Sequence, residues 1–122
     1  LARIQQAAES AKIALSDDPY TWVKEEYLAE KNAVPLHMEI EVSRSQFVEL
    51  IDDLLDKTLE SVAHVVEDSE IEQPDHLMLV GGSTYIPAVR ERITKYLGVS
   101  PRFDVNPSEA VALGAGILGG NY

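Results

Sequence analysis

A mixed α/β fold is predicted by three features of the sequence. The apolar run Leu77–Met78–Leu79–Val80 passes straight into Gly81–Gly82, and Pro87 follows shortly after. Residues 36–42 alternate apolar and polar side chains. Several other segments repeat apolar residues at three- and four-residue steps. A short continuous apolar run closed by glycines fits a strand buried on both faces, as in a parallel or mixed sheet. Strict alternation fits a half-buried strand, and three- and four-residue steps fit amphipathic helices.

The first helix follows from Leu1, Ile4, Ala8, Ala11 and Leu15, which form one stripe in an alanine-rich stretch stopped at Asp17–Asp18–Pro19. Glu9, Lys12, Ile13 and Ser16 share another face of it, at i, i+3, i+4 and i+7. Residues 20–28 are aromatic and β-branched and read as a strand, with Trp22 the only tryptophan. Residues 29–35 read as a loop. In the strand over 36–42, Leu36, Met38, Ile40 and Val42 take one face and His37, Glu39 and Glu41 the other. The two strands are expected to pair as a hairpin. The His37 face reads as solvated rather than metal-binding, because no second histidine sits at ligand spacing.

Ser43 and Gln46 form a capping-box pattern that opens a long helix. Phe47, Leu50, Ile51, Leu54, Leu55, Leu59, Val62 and Val66 are expected to make its buried stripe, with a kink near residues 58–61. Glu49, Asp52, Asp53, Asp56 and Glu60 make a solvated acidic side, and His64 and Asp68 a surface pair. After a polar connection, residues 76–80 form the strand named above. Gly81–Gly82 lets the chain turn where a Cβ would obstruct it, and Pro87 suits the first turn of a helix over 86–97. Free N–H groups at such a turn can hold an anion, though an ordinary strand-to-helix connection looks the same in sequence. Val89, Ile93 and Leu97 face inward, and Gly98 closes the helix. Residues 101–105 read as a short strand. Asn106–Pro107 supplies an N-cap and a first-turn proline for a last helix over 109–118, whose small residues predict tight packing on a sheet.

Composition bounds what such a chain can do. Its 122 residues, 45% of them apolar, suffice for a modest core. A formal net charge of −11 argues against nucleic acid or an anionic membrane as partner, but leaves room for a nucleotide at one local turn. No cysteine is present, so no disulfide or thiolate metal site can form. Neither a signal peptide nor an apolar run of the roughly 20 residues that span a bilayer is apparent. Leu1 falls inside a helical pattern, so the chain is expected to be a piece of a longer protein.

Three stretches, in order, resemble one family. Residues 8–16, Ala-Glu-Ser-Ala-Lys-Ile-Ala-Leu-Ser, resemble the adenosine-contacting helix of the DnaK-type, seventy-kilodalton heat-shock chaperones. Residues 79–87, Leu-Val-Gly-Gly-Ser-Thr-Tyr-Ile-Pro, resemble the signature near the end of that family's ATPase domain, and residues 105–115 its last shared block. Residues 43–47 and 52–59 resemble its long helices, and residues 17–33 are the least recognisable part.

The resemblance implies an actin-like, ribonuclease-H-like ATPase lobe of α/β class: residues 1–70 in an outer α+β subdomain, and residues 71–122 in part of an inner α/β subdomain whose other strands come from elsewhere. It implies ATP or ADP as ligand, with Mg²⁺ carried by the nucleotide and its ligands outside this chain. Glu9, Lys12 and Ser16 would bond adenosine, with Ile13 beside the base. Gly81, Gly82 and Ser83 would approach the phosphates and ribose, and Tyr85 and Ile86 would flank the base. Ile13 stands where many members have arginine, Tyr85 where arginine usually stacks on adenine, and Ser108 where aspartate follows Asn–Pro. These departures suggest a divergent, bacterial member. The implied partners are the first lobe, a nucleotide-exchange factor at the outer subdomain, and unfolded peptides bound by the parent, in the cytoplasm. No catalytic or metal-ligating residue is assigned, so this chain alone is expected not to hydrolyse ATP. An actin-like filament or scaffold ATPase and a nucleotide-free interaction module are the alternatives.

Overall fold

The computed structural model describes residues 1–120. Asn121 and Tyr122, the end of the inner segment expected over 71–122, lie outside the described residues. The chain is mixed α/β and divides into two compact units, residues 1–52 and 53–122.

In the first unit, α1 (Ala2–Asp17) leads into an antiparallel hairpin of β1 (Tyr20–Lys31) and β2 (Val34–Ser43). Thr21, Val23 and Glu25 face Val42, Ile40 and Met38 across the strands. Ala11 and Leu15 of α1 are the buried core, over a groove lined by Val23, Met38, Ile40, Val42 and Phe47. Trp22 and Lys24 take the opposite side, with the Lys24 ammonium 5.3 Å from the Trp22 ring and 2.6 Å from Glu39.

The loop expected over 29–35 is instead two residues long. Lys31 pairs with Val34, and Asn32 and Ala33 both take positive φ, 52° and 61°. That is the backbone of a two-residue hairpin turn whose twist matches the strands. A bulge interrupts the pairing between Glu25 and Ala29, with Tyr27 at φ 51° and its N–H donating to His37 Nδ1 at 3.0 Å. Arg3 of α1 clamps this bulge through Glu25 Oε2 at 2.5 Å and the carbonyl of Glu26 at 2.7 Å.

The capping box forms as expected: Ser43 Oγ accepts from Gln46 N at 3.1 Å and Gln46 Oε1 from Ser43 N at 3.0 Å. The long helix is interrupted, but at Ile51 rather than near residues 58–61. It gives α2 (Arg44–Leu50) and α3 (Asp52–Ser69). Thr58 and Ser61 instead return their hydroxyls to the carbonyls of Leu54 and Lys57, one turn back, and the helix runs on through them. The expected stripe is covered only in part: Leu55 is buried, while Leu50 and Leu54 are exposed. His64 lies 4.0 Å from Glu67, on the exposed side of α3.

In the second unit, β3 (Leu77–Met78) pairs in parallel with β4 (Pro101–Arg102). Both are shorter than the residue pattern predicts, and β3 is not buried on both faces. Leu77 and Leu79 are half-buried, Met78 and Val80 exposed, because only one neighbouring strand is present in this two-stranded sheet. A 3-10 turn (Gly82–Tyr85) leads into α4 (Pro87–Leu97). Ile86, Ala88 and Ile93 are buried with Leu55. Gly98 ends α4 at φ 68°, and Gln73 Nε2 donates to the carbonyl of Gly98 at 3.2 Å. The last helix, α5 (Ala110–Gly119), begins later than Pro107, and its expected close packing is absent. Every residue of it after Ala110 is exposed, and nothing lies within 4 Å of a Cβ built on Gly114 or Gly116.

Candidate functional site

Two clusters carry the residues singled out in the sequence, one in each unit. On α1, helical spacing places Glu9, Lys12, Ile13 and Ser16 together on one face. Lys12 Nζ lies 2.7 Å from Glu9 Oε1. Ile13 is exposed, and the Ser16 hydroxyl has no hydrogen-bond partner among the described residues. The face therefore presents a carboxylate, an ammonium, a hydroxyl and an apolar side chain within two turns.

The second cluster is the turn after β3. Gly81 sits at φ 100°, ψ 156°, a conformation essentially restricted to glycine. Its N–H donates to the carbonyl of Pro107 at 2.9 Å, and its carbonyl accepts from Thr84 N at 3.1 Å and from Thr84 Oγ1 at 2.6 Å. Gly81 thus shapes the turn and uses its own donor within the protein. Gly82 and Ser83 come next, at the start of the 3-10 turn. Their N–H groups meet no acceptor among the described residues, and a Cβ placed on Gly82 would meet nothing within 4 Å. Two free donors beside open space suit a phosphate or another anion.

Tyr85 and the loop before α5 close this turn on one side. The Tyr85 hydroxyl donates to Asn106 Oδ1 at 2.8 Å, and the same oxygen accepts the Ser108 N–H at 2.9 Å. Asn106, expected to cap the last helix, instead closes the turn before it: α5 starts only at Ala110 with Glu109 at its N-cap, and the Asn106 backbone carbonyl accepts from Ala110 N at 3.0 Å. The Ser108 hydroxyl is without a hydrogen-bond partner among the described residues. Ile86, expected to flank a base beside Tyr85, is buried at 9% exposure and has little surface to offer a ligand. Arg90 was not singled out in the sequence, yet it donates through Nε to the carbonyl of Thr84 and lies over the Tyr85 ring. An arginine four residues into a helix carries no local mark of such a role. Among the described residues, no group of three or more His, Asp or Glu could hold a metal ion. No described helix is long and apolar enough to cross a membrane.

The family model described as Hsp70 protein matches residues 1–121. The chain belongs to the Hsp70 family. It is a segment of the Hsp70 ATPase domain, which gives the open glycine turn a context: this family binds ATP and ADP with Mg²⁺ and acts as a chaperone. The donor set fits such a ligand. The Gly82 and Ser83 donors and the space over Gly82 suit phosphate, and the α1 face of the Hsp70 chain offers acceptor, donor and apolar surface to a nucleoside.

Proposed function

We propose that this chain supplies adenosine- and phosphate-contacting elements of a DnaK-like nucleotide-binding domain, within an actin-like, ribonuclease-H-like lobe. Residues 1–70 would form part of the outer subdomain and residues 71–122 part of the inner one. The observation that carries the reading is the turn at Gly82–Ser83, with two free N–H groups and no obstruction above Gly82. Fixed N–H dipoles beside open space favour an anion even in a chain of net charge −11, because the interaction is local.

In this proposal Gly82 and Ser83 donate to phosphate oxygens, and Gly81 sets the direction of the turn. In the first unit Glu9, Lys12 and Ser16 suit ribose and base edges, with Ile13 as apolar surface for a base; in the second unit Tyr85 offers a ring face for stacking. Ile86 holds the turn from below, and Ser108 lies in the loop tied to it. Mg²⁺ would come with the nucleotide and would supply charge neutralisation at the phosphates. No residue of this chain is assigned to it, and none is assigned to activating water, so hydrolysis belongs to the whole domain. The parent would couple ATP hydrolysis to holding unfolded peptide in the cytoplasm, with an exchange factor acting on the outer subdomain.

Calorimetric titration of ADP into the full-length protein tests the reading. Binding is expected to weaken in Gly82→Val, whose branched side chain fills the open space, and in Lys12→Ala. A folded wild-type protein that binds neither ADP nor ATP would refute the proposal and leave an interaction role for the scaffold.

A further inference from the structure

The guanidinium of Arg90 is held on three sides. Its Nε donates to the carbonyl of Thr84, and its Cζ lies 5.5 Å from the Tyr85 ring centre and 5.3 Å from that of Phe103. Its Nη groups have no hydrogen-bond partner among the described residues, so the two rings and one carbonyl define its place. Tyr85 in turn is fixed at both ends. Its hydroxyl is tied to Asn106, and Arg90 covers its ring. The ring cannot swing without losing both contacts, yet Tyr85 remains 37% exposed.

We propose that Arg90 is a positioning residue of the nucleotide site, holding the Tyr85 ring so that its free face is presented for stacking with a purine base. This rests on the nucleotide reading above. Two consequences follow from the chemistry. A ring already immobilised loses little further freedom when a ligand stacks on it. A cation over an aromatic face also draws on the ring's electron density, so the free face repels the electron-rich face of a purine less. Phe103, exposed and touching the same guanidinium, belongs to the arrangement as the second wall that keeps Arg90 over Tyr85. The turn is thereby joined to the loop before α5 at two points, Tyr85 to Asn106 and Gly81 to Pro107.

The test is a double-mutant cycle in the full-length protein with ADP affinity as the readout, alongside the arginine side-chain NMR signals. In the wild type, the Arg90 Nε–H resonance is expected upfield of the other arginines, moved by the two ring currents, and slow to exchange. Arg90→Gln is expected to weaken ADP binding about three- to tenfold, because the freed Tyr85 ring must then be immobilised on binding. In a Tyr85→Leu background the same change is expected to have no further effect. Arg90→Lys keeps the charge without the bond to Thr84 and is expected to restore part of the affinity. It also carries the test if the glutamine variant does not fold. Unchanged ADP affinity in the Arg90 variants would overturn the proposal, and so would an equal loss with Tyr85 already removed. Wild-type protein that binds no ADP would overturn the nucleotide reading itself, and this role with it. Those outcomes are distinct because the first two require a wild type that binds.

Discussion

Arg44 offers a sharp test of how the first unit is held together. Leu15 is 2% exposed. Within an ideal helix its carbonyl would accept from the residue four positions on, which is Pro19 and has no N–H. Arg44 supplies the missing donor: Nε to the Leu15 carbonyl at 2.7 Å, and Nη2 to the Ser16 carbonyl at 3.2 Å. Arg44→Met keeps most of the aliphatic stem and removes both bonds. A hydrogen bond from a charged donor contributes about 1.5–3 kcal/mol, and the longer bond to Ser16 less. A cation at a helix C-terminus adds about 0.3–1 kcal/mol. The expected loss is therefore about 3 kcal/mol, a large share of the roughly 5–15 kcal/mol that holds a domain folded. Urea unfolding can be followed at Trp22, the chain's single tryptophan, which lies on β1 of the same unit. With a slope of about 2 kcal/mol per molar, the midpoint should fall by about 1.5 M. Arg44→Lys can satisfy one carbonyl and should lose about half as much. A midpoint shift in Arg44→Met below about 0.3 M at unchanged slope would refute the reasoning, and would mean that water serves these carbonyls as well as Arg44 does.

Further substitutions probe the turn, the cap and the core. Gly81→Ala should cost about 1–3 kcal/mol in thermal unfolding, because its backbone conformation and not its surroundings excludes a side chain. Gly82→Ala, with open space around it, should fold normally and be felt only in ligand titrations. Ser43→Ala should remove about 1 kcal/mol by opening the capping box, and hydrogen exchange at Gln46 should speed up with it. Leu55→Ala should cost about 2–4 kcal/mol by urea titration, since Leu55 is 5% exposed in the second unit.

What was legible in the sequence was what depends on near neighbours. The stripe of α1, the alternation of β2, the capping box at Ser43, the proline at the start of α4 and the αL glycine at its end are all written in spacings of a few residues. The two-residue turn escaped because its second position, which favours glycine, is Ala33, which takes φ 61° between the paired strands. The break at Ile51 has neither glycine nor proline to announce it. In the site, residues joined by helical spacing were found together, as Glu9 and Lys12 were. Contacts spanning 21 residues, as between Tyr85 and Asn106, leave no trace in local pattern. Arg3 at the bulge and Arg44 under α1 were missed for the same reason: each serves carbonyls more than 20 residues away.

The uncovered state of α5 bears on whether that segment can stay helical in water. An isolated helix of ten residues is marginal, since the first turn fixes several dihedrals before any bond rewards it. Gly114 and Gly116 each subtract about 1 kcal/mol relative to alanine from the middle of the segment. No charged side chain lies between Ala110 and Gly119 to add an ion pair along the helix or to keep it dissolved. Val111, Leu113, Ile117 and Leu118 instead offer a greasy surface on several sides. In dilute solution α5 should therefore fray, and helical signal from this chain should rise with its own concentration as such surfaces find one another. The segment would then act as a gauge of its surroundings, ordered when sheltered and loose when wet.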